Sequence, residues 1–470
     1  MGRKRRRHIQ LEQVEISGIA DKGRAVGKAE DGRVVFVEDV APGDVVDVQT
    51  NRKRKGVFFG YPTHFHQYSI DRVTPFCAHF ELCGGCKWQH ITYEAQLRHK
   101  EEVVRNAIQR IGKVAVADLQ PILPAIQTTY YRNKLEFSFS SKRWLTAEEI
   151  AAGVSNEENV LGFHKAGAFD KIIDIQQCYL QPDPSNAIRN FIRAYAIEND
   201  LDFYDARQHE GFLRNMVVRT SSTGDVMLIL AIKKDEPELY QPLLDAIIQA
   251  FPMVTSLYYC INPKVNDFLL DLEMVLYHGK PQIEDKLSEV RFQIGPKSFF
   301  QTNTLQAQRL YDTVVEFADF QGHENVYDLY TGIGSIALYV AQYCGQVVGI
   351  EEVAPAIEDA KLNARLNENI NTLFYAGDVK DVLDETFIAA HKKPDILITD
   401  PPRAGMHPKV VQVLLQLEAP KIVYVSCNPA TQARDLQLLS EKYNVLKLRP
   451  VDMFPHTSHI ESVALLEMRQ

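Results

Sequence analysis

The chain has 470 residues, of which 45% are hydrophobic and 24% are charged, a composition typical of a globular protein with two or three domains. It contains no apolar run of about 18 residues, so no membrane-spanning segment is predicted. The N-terminal sequence Met-Gly-Arg-Lys-Arg-Arg-Arg-His has no apolar stretch behind its positive charges, which argues against a secretory signal. We therefore expect a cytoplasmic protein without a membrane partner.

Charge is distributed unevenly along the chain, whose net charge is −9. Residues 1–60 contain 13 Lys and Arg against 9 Asp and Glu, a balance of +4, which leaves −13 for the remainder. A basic segment at one end is typical of a module that contacts nucleic-acid phosphates. For the cluster from Arg3 to Arg7, a solvated tail is an equally good interpretation.

The basic segment also contains the pattern of a small β-barrel. Short alternating strands are predicted at residues 13–17, 33–37 and 45–50, and glycines and the Pro42-Gly43 pair separate them. The run Arg52-Lys53-Arg54-Lys55 follows the third strand, and we expect it on a loop or a sheet edge.

Three of the seven cysteines, Cys77, Cys83 and Cys86, lie within ten residues on a glycine-containing loop. An odd cysteine count without a secretory signal points to a reducing compartment, so disulfides do not explain this cluster. Three thiolates suit an iron–sulfur cluster or zinc alike, and either needs a further ligand. Cys260 and Cys344 stand in apolar surroundings and are expected in the core.

The middle of the chain is predicted to be α+β. Apolar spacing predicts a helix between Thr92 and Gly112, and strands are predicted at residues 134–140, 216–220, 226–232 and 256–261. No catalytic motif is evident here. Arg132 and Lys134 are candidate phosphate contacts, although two charges on a strand are often simply solvated.

From Phe292 onward, short apolar strands alternate with helical patterns. This alternation predicts a Rossmann-like, doubly wound α/β sheet whose site lies at the carboxyl ends of the strands. The strands are predicted at residues 326–329, 347–350, 373–375, 396–399, 422–426 and 445–450.

Polar motifs follow several of these strands. Asp328-Leu-Tyr-Thr-Gly-Ile-Gly-Ser opens a helix with glycines that let backbone approach a ligand, and Glu351 ends the next strand, where it can hold ribose hydroxyls. A dehydrogenase that binds NAD would show much the same loop. Asp378 is placed to accept from an adenine amino group. The Asp400-Pro-Pro turn favours a methyltransferase.

Cys427, in Ser-Cys-Asn-Pro, follows a buried strand and is expected at the rim of a pocket, where its thiolate is a nucleophile. Glu461, in Phe-Pro-His-Thr-Ser-His-Ile-Glu, is a candidate general base or a surface carboxylate at a strand start. A metal site at His456, His459 and Glu461 is disfavoured by their spacing. Gln301 and Asn303 face the same way in an extended segment, as ligand contacts or as a capping loop.

With these motifs, which occur in the order Asp-Pro-Pro-Arg-Ala-Gly, Ser-Cys-Asn-Pro and His-x-x-His-x-Glu, the chain resembles the bacterial RNA (uracil-5-)-methyltransferase family over nearly its full length. It is most similar to the iron–sulfur branch that modifies 23S rRNA and carries an N-terminal TRAM domain. The resemblance implies a TRAM or OB-like barrel at residues 1–64, a central α+β domain with a [4Fe-4S] cluster at 65–290, and the methyltransferase domain at 291–470. The helix at 92–112 is expected to pack on the last of these.

The resemblance also assigns roles to residues. Cys178 matches the fourth cluster ligand, which favours iron–sulfur over zinc. Five residues match the lining of the S-adenosylmethionine and uracil site, namely Gln301, Tyr330, Glu351, Asp378 and Asp400. Ser335 stands where the family often has Asn after the second glycine, and its hydroxyl is expected to contact the cofactor instead.

These side chains suit methylation of uracil at C5. Attack of the Cys427 thiolate at C6 makes C5 nucleophilic, so that C5 can take the sulfonium methyl, and Glu461 then removes the C5 proton. By resemblance, Cys427 is the nucleophile, Glu461 is the base, and Asp400 positions the pyrimidine. The target base must leave its stack to enter such a pocket.

We therefore expect a monomeric enzyme that makes 5-methyluridine in 23S rRNA. Three alternatives remain at this point. The first is an enzyme of the same chemistry that acts on the T-loop uridine of tRNA. The second is a noncatalytic iron–sulfur protein that binds RNA, and the third is a dehydrogenase.

Overall fold

A computed structural model describes residues 9–20 and 23–469 of the chain, so the basic cluster from Arg3 to Arg7 lies outside the described residues. Within them the strands form a closed barrel, a seven-stranded sheet, a two-stranded hairpin and an eight-stranded sheet. None of the helices in this part is both long and apolar enough to cross a lipid bilayer.

The barrel closes in the order β1-β2-β3-β5-β4 around apolar side chains that alternate along each strand. Gly27 and Gly60 lie where strands approach closely, because an added Cβ would stand 2.6 Å from Cγ1 of Val14 and 2.4 Å from the Gln49 carbonyl oxygen, respectively. The strands are β1 (Gln10–Ile19), β2 (Ala25–Lys28), β3 (Val34–Val37), β4 (Val45–Arg54) and β5 (Val57–Gln67).

Of the two expected positions for the basic run at residues 52–55, a loop or a sheet edge, the structure favours the second, since its first three residues end β4 and pair with β5. The reason is cation–π packing across the β4–β5 hairpin. The Arg52 guanidinium lies 4.3 Å from the centre of the Phe59 ring, and the Lys53 ammonium lies 4.5 Å from that of Phe58.

The segment after the barrel connects it to the C-terminal sheet. Helix α1 (Tyr93–Ala107), capped by the Thr92 hydroxyl, continues into a π-helical turn (Ile108–Gly112). Val104 and Ile108 pack into the core of the C-terminal sheet, and β6 (Val116–Leu119) pairs in parallel with its edge strand. Residues from the middle of the chain therefore complete the C-terminal sheet.

The seven-stranded sheet has the order β13-β12-β11-β10-β7-β8-β9. One of its faces packs on α3 and α4, and the other packs against α5 of the C-terminal unit. The strands are β7 (Lys134–Lys142), β8 (Glu157–His164), β9 (Ile172–Asp174), β10 (Leu213–Thr220), β11 (Val226–Ile232), β12 (Val254–Ile261) and β13 (Val275–Gly279). The helices are α2 (Ala147–Ala151), α3 (Ser185–Glu198), α4 (Pro237–Ala250) and α5 (Thr304–Ala318), and a hairpin of β14 (Ile283–Leu287) and β15 (Val290–Ile294) precedes α5.

The C-terminal sheet confirms the predicted α/β class. Its order is β18-β17-β16-β19-β20-β22-β21-β6. The strands are β16 (Asn325–Leu329), β17 (Gln346–Glu351), β18 (Thr372–Ala376), β19 (Ile396–Thr399), β20 (Lys421–Ser426), β21 (Tyr443–Val451) and β22 (Glu461–Met468). The helices are α6 (Ser335–Val340), α7 (Ala354–Leu366), α8 (Val379–Val382), α9 (Glu385–His391), α10 (Pro408–Leu417) and α11 (Pro429–Leu439), and a 3-10 turn (Ala341–Tyr343) follows α6.

One strand of this sheet runs against its neighbours. Strands β16 to β20 are parallel, whereas β22 lies between β20 and β21 and is antiparallel to both. The amino end of β22 therefore lies at the same sheet edge as the carboxyl ends of the parallel strands, where polar residues from both directions meet.

Candidate active site and cysteine cavity

The strand register brings the thiol of Cys427 beside the carboxyl group of Glu461. Ser426, the last residue of β20, pairs with Ser462, the second residue of β22. The next two residues in this register are Cys427, directly after β20, and Glu461, the first residue of β22. Cys427 is partly buried, and Glu461 is 5% exposed. Glu461 therefore lies within the carboxyl edge of the sheet and is not a surface carboxylate.

Asp400 and Arg403 complete this group. Asp400 directly follows β19, the neighbour of β20, and is partly buried, whereas Arg403 is exposed. Burial, reinforced by Asp328, raises the pKa of Asp400 to about 7. Burial and the Asp400 carboxyl raise the pKa of Glu461 well above its usual range, and the Arg403 guanidinium opposes this rise.

The same surroundings hold the Cys427 thiol in its protonated form. Burial, followed by the charges of Glu461 and Asp400, raises its pKa to about 11. Within residues 9–20 and 23–469, neither carboxyl side chain, Asp400 or Glu461, has a hydrogen-bond partner that would lower its pKa. A thiol and two acids without hydrogen-bond partners among the described residues thus lie at one edge of the sheet, and each acid can accept a proton when it is ionised.

The glycine loop between β16 and α6 lies at the same edge. Tyr330, Gly332 and Gly334 have φ angles of 65°, 58° and 81°, which turn the chain sharply into the helix. No atom lies within 4 Å of the position that a Cβ of Gly332 would occupy, so the loop is open to a ligand. The Glu351 carboxylate accepts hydrogen bonds from the amides of Gly332, at 3.2 Å, and Val353, at 2.9 Å.

Two other expected cofactor residues belong to the same environment. Burial raises the pKa of Tyr330 to about 12, and Asp378 is the charge that adds most to the rise, followed by Asp435 and Glu351. Asp378 follows β18, accepts a hydrogen bond from the amide of Lys380 and pairs with the ammonium group of that lysine, which lowers its pKa. The structure thus brings Tyr330, Glu351 and Asp378 together around the loop.

The remaining two expected cofactor residues, Ser335 and Gln301, have hydrogen bonds within the protein. The Ser335 hydroxyl, at the start of α6, is hydrogen-bonded to the Tyr311 hydroxyl at 3.0 Å. Gln301 is 8% exposed and its carbonyl oxygen accepts from the Asn133 side chain at 2.8 Å. Its neighbour Asn303 caps α5 through the amide of Gln306, so the capping interpretation holds for Asn303.

Sequence reasoning missed the role of Asp328. This residue is fully buried, and its Oδ2 accepts from the Thr331 hydroxyl at 2.5 Å and the Ala337 amide at 3.1 Å, which holds the glycine loop against α6. Its Oδ1 has no partner among the described residues, and burial raises its pKa to about 7. The signal was present, because Asp328 begins the motif that predicted the loop.

A second missed group holds the segment that leads into Glu461. The Lys100 ammonium of α1 donates to Oδ1 of Asp452 at 2.6 Å and to the Phe454 carbonyl at 2.9 Å. The Tyr93 hydroxyl donates to Oδ2 of Asp452 at 2.8 Å. Lys100 and Asp452 are 1% and 0% exposed, so this ion pair is buried. Helix α1 therefore fixes the approach to the candidate base.

The two histidines of this segment face other partners. Nδ1 of His456 lies 3.1 Å from Nε2 of the buried Gln96, and Nδ1 of His459 lies 3.3 Å from a guanidinium nitrogen of Arg403. Burial lowers the pKa of each imidazole to about 4, so both are neutral at ordinary pH.

The four cysteines proposed from the sequence line one cavity of about 390 Å³ between the cysteine loop and the central sheet. They are Cys77, Cys83, Cys86 and Cys178. Burial raises the pKa of Cys83 to about 11 and that of Cys86 to about 12, and it also raises the pKa of Cys178. Among the described residues, no group of three or more His, Cys, Asp or Glu side chains is placed to hold a metal ion.

The loops that carry these thiols are held by polar contacts. The Cys178 amide and carbonyl both hydrogen-bond to the side chain of Asn186, at 2.8 and 3.1 Å. The Cys77 amide donates to Oε1 of Gln89 at 3.2 Å. A Cβ on Gly84 would meet the His164 carbonyl oxygen at 3.1 Å, so the cysteine loop packs directly on the end of β8.

Known protein families match two separate parts of this chain. The sequence matches the tRNA (Uracil-5-)-methyltransferase family over residues 270–469 and the TRAM domain over residues 5–60. A relative from Bacteroides thetaiotaomicron, named an uncharacterized RNA methyltransferase, is 52% identical over 96% of this chain and 100% of its own length. One of the same name from Porphyromonas gingivalis is 50% identical over 96% of this chain and 99% of its own length.

The chain belongs to the RNA (uracil-5-)-methyltransferase family. Its fold is similar to that of the Pyrococcus abyssi tRNA (uracil-54, C5)-methyltransferase, solved in complex with S-adenosyl-L-homocysteine. The two chains are 28% identical with a TM-score of 0.75, over 97% of this chain and 100% of the other. The protein is thus an RNA methyltransferase that uses S-adenosylmethionine, as its motifs predicted, and the barrel is a TRAM domain. The dehydrogenase and noncatalytic alternatives are set aside.

Proposed function

We propose that this RNA methyltransferase makes 5-methyluridine in 23S rRNA through a covalent adduct between Cys427 and uracil C6. The observation that carries the proposal is the β20–β22 register, which places Cys427 beside Glu461 with Asp400 on the adjacent strand end. The resemblance to the iron–sulfur branch supports 23S rRNA as the acceptor. The enzyme is expected to act as a monomer in the cytoplasm.

In the proposed reaction, Cys427 gives its proton to the ionised form of Asp400 as its sulfur bonds to C6 of uracil, and Asp400 returns this proton when the thiolate is released. A thiol whose pKa is about 11 holds this proton at neutral pH, so an adjacent acceptor is needed at the moment of attack. C5 of the resulting enolate then bonds to the methyl carbon of S-adenosylmethionine. The bond between that carbon and the sulfonium sulfur breaks, and S-adenosylhomocysteine is released. Glu461 then takes the C5 proton, and the electrons of that bond expel the Cys427 thiolate.

Asp400 has a second role in this scheme. It follows β19, which lies between β16, the strand before the glycine loop, and β20, the strand before Cys427. A carboxyl group whose pKa is about 7 can donate as well as accept a hydrogen bond near neutral pH. That capacity suits the imide edge of uracil, which presents an N–H group between two carbonyl oxygens.

We assign the cofactor residues to different parts of S-adenosylmethionine, the methyl donor. Glu351, held by two backbone amides, is proposed to bind the ribose hydroxyls, and Asp378 the adenine amino group. Tyr330 and Ser335 line the glycine loop between them, and Gln301 approaches from the segment before α5. The open space at Gly332 supports this arrangement, since backbone must approach the donor closely there.

We further propose that Cys77, Cys83, Cys86 and Cys178 hold a [4Fe-4S] cluster. Their common cavity supports this, and so does its volume of about 390 Å³, which admits a ligand larger than one ion. The methylation cycle moves no net electrons, so it needs no redox centre. The cluster would instead have a structural role and cross-link the cysteine loop to the central sheet. Anaerobic purification with iron and sulfide analysis tests it. Four irons per chain, lost in Cys83→Ser, are expected, and a stable iron-free protein would refute it.

The nucleophile is tested with RNA that contains 5-fluorouridine. Fluorine at C5 cannot leave as a proton does, so the methylated adduct persists and the protein migrates with RNA on a denaturing gel. We expect this complex with the wild-type chain and with the control Cys344→Ala, whose thiol is buried in the core away from the site. Cys427→Ala should form none. An adduct that persists in Cys427→Ala would show that another residue attacks uracil.

A second candidate substrate is the T-loop uridine of tRNA, which the name of the Pyrococcus abyssi structure favours. The catalytic residues are expected to be the same, so only the RNA can discriminate. Mapping of 5-methyluridine at nucleotide resolution, in cells that lack this protein, decides between them. Loss of a 23S rRNA methyl group supports the first proposal, and loss confined to tRNA replaces it with the second.

A further inference from the structure

A groove of about 970 Å³ lies beside the cysteine cavity, at the end of the central sheet formed by β7 and β8. Its sides are formed by the loops at residues 164–170, 204–209 and 265–267. The methylation chemistry described above uses none of these residues. The groove is therefore a site that the proposed reaction leaves unexplained.

Aromatic side chains form much of the groove wall. Phe169 is 73% exposed, which is unusual for a phenylalanine on a folded surface, and it stands on the loop at residues 164–170. Phe163 and Tyr204 line the same groove. Tyr204 is buried, at 5% exposure, so Phe169 is the lining ring that we expect a nucleobase to stack on.

The floor of the groove is polar and incompletely paired. The Asn215 side chain donates to the Ser138 hydroxyl at 3.2 Å, and that hydroxyl lies 3.1 Å from Nε2 of His164. When Ser138 donates to Nε2, the imidazole proton is on Nδ1, and this buried nitrogen has no acceptor among the described residues.

Arg214 adds a second N–H group of this kind. It is 1% exposed, its guanidinium stacks 4.2 Å from the centre of the Tyr204 ring, and its terminal nitrogens hold the loop at residues 262–267. Its Nε has no acceptor in the described part of the chain. Two unpaired N–H groups beside aromatic walls fit a planar ligand that carries acceptor atoms on its edge, because an unpaired buried donor is costly.

The groove borders the cysteine cavity, which in turn borders residues near the active-site edge. It shares Gly85 and Phe163 with the cysteine cavity, and that cavity is lined on another side by Arg132 and Thr302. Thr302 directly follows Gln301, and the Arg132 guanidinium lies 5.2 Å from the centre of the Phe454 ring on the segment before Glu461. The cysteine cavity thus lies between the groove and the active-site edge, and RNA bound at Cys427 would reach the groove over the outer surface of the cysteine loop.

We propose that this groove binds one unpaired nucleotide of the RNA substrate, outside the nucleotide that is methylated. Its base stacks on Phe169, and its acceptor atoms take the N–H groups of His164 and Arg214. Every base has a face that stacks and acceptor atoms on its edge, so the groove selects for an unstacked residue at a set distance from the target. The proposal rests on the proposed function, since it assumes RNA at the active-site edge.

Steady-state kinetics of Phe169→Ala test the proposal, with RNA from cells that lack this protein as the methyl acceptor. Loss of one base–aromatic stack should raise the KM for RNA about 5-fold to 100-fold. The kcat and the KM for S-adenosylmethionine should stay within about 2-fold of wild type. Phe268→Ala is the matched control, because Phe268 is 55% exposed and lies near the groove without lining it. An unchanged KM for RNA in Phe169→Ala would overturn the proposal.

Ultraviolet cross-linking gives a second measurement that does not depend on turnover. Wild-type protein bound to the same RNA should yield nucleotide-linked peptides that contain Phe169 or Tyr204, and His209→Ala, at the groove rim, should reduce their yield. Cross-links confined to the barrel and the active-site edge would contradict the groove. Uridine or adenosine monophosphate that binds the groove and is not displaced by RNA would assign it to a small ligand and overturn the proposal.

These results distinguish failure of the proposed function from failure of the groove proposal. If the wild-type protein transfers no methyl group to any RNA, the proposed function fails, and the groove proposal fails with it. If the wild type transfers methyl groups and Phe169→Ala does so with an unchanged KM, only the groove proposal fails.

Discussion

Two buried polar groups lie at opposite ends of the segment between β21 and β22, and their charges are arranged in opposite ways. At the end near β22, Glu461 and Asp400 place two acids beside the Cys427 thiol, with one exposed guanidinium to oppose them. At the end near β21, the Lys100 ammonium meets Asp452 at 2.6 Å, and each polar atom of the pair has a partner. The first group keeps reactive protons available, and the second fixes the position of the segment.

This contrast shows which part of the segment is built for chemistry. Buried acids without partners raise each other's pKa and cost stability, whereas a buried pair with satisfied hydrogen bonds specifies one geometry. The segment is therefore rigid where it joins α1 and electrostatically unfavourable where the substrate is expected. Four variants or reactions test this division.

The largest expected effect is on turnover in Glu461→Gln. Without a base for the C5 proton, the reaction should stop at the methylated adduct, and kcat should fall about 10²-fold to 10⁴-fold. RNA retained on the protein in a denaturing gel measures the stalled adduct. Glu467→Gln, near the other end of β22, is the control and should turn over normally. Normal turnover in Glu461→Gln would assign the base to another residue.

Lys100→Met should have the next largest effect, on stability. It leaves the Asp452 carboxylate buried without its cation, which should lower the free energy of unfolding by about 3–5 kcal/mol. Urea denaturation measures this loss. Lys361→Met removes an exposed pair with Glu358 and should cost less than about 1 kcal/mol. Adding Asp452→Asn to Lys100→Met should restore part of the loss, and no restoration would argue against the pair.

The third expected effect concerns the reactivity of Cys427 in the absence of RNA. With a pKa of about 11, against 9.0 for an ordinary thiol, it should hold about 100-fold less thiolate at pH 8. Alkylation by iodoacetamide, followed by peptide mass spectrometry, should therefore be slow at pH 8 and rise with pH up to about 11. Glu461→Gln removes one of the negative charges and should speed the reaction. Fast alkylation at pH 7 would contradict the buried, acid-flanked thiol.

The smallest effect is expected for Asp400→Asn, which should make the protein more stable while impairing methylation. The folded-state pKa of about 7 lies above the ordinary value of 3.8, so between these values the folded state holds a proton that the unfolded state loses. Wild-type stability therefore falls as pH rises through this range, and Asn avoids that fall. Urea denaturation should show a gain in stability at pH 8 that shrinks toward pH 4. A loss of stability at pH 8 would indicate a structural role instead.

Much of the fold follows from local sequence patterns. Each parallel strand of the C-terminal sheet is a short apolar run that ends in a polar or glycine turn, and β16, β17 and β19 lie within one residue of the prediction. In the barrel, by contrast, β2 and β5 were not predicted. β5 carries Tyr61, Pro62 and His64 in place of a regular apolar alternation, and its pairing with β3 and β4 determines that it is a strand.

The site was predictable as a set of residues and not as an arrangement. The motifs named Cys427, Asp400 and Glu461, but the burial of Glu461 depends on β22 running antiparallel to β20, which no local pattern encodes. The Lys100–Asp452 pair joins residues more than 350 positions apart, and a lysine in a helix of mixed charge gives no sign that it is buried. Roles for the individual residues remain predictions until the variants are measured.

The contact between the barrel and the segment before Glu461 limits which barrels can be exchanged in a chimaeric enzyme. Gly23, in the loop after β1, has a φ of 73°, and a Cβ there would lie 2.4 Å from the Cβ of Ser458. The Gly23 carbonyl also accepts from the indole N–H of Trp88 at 3.3 Å. The TRAM domain thus contacts the loop that precedes Glu461, the proposed base, and a chimaera with a foreign barrel would need a matching loop. A chimaera that exchanges the barrel alone would leave mismatched residues at the contact between Gly23 and Ser458.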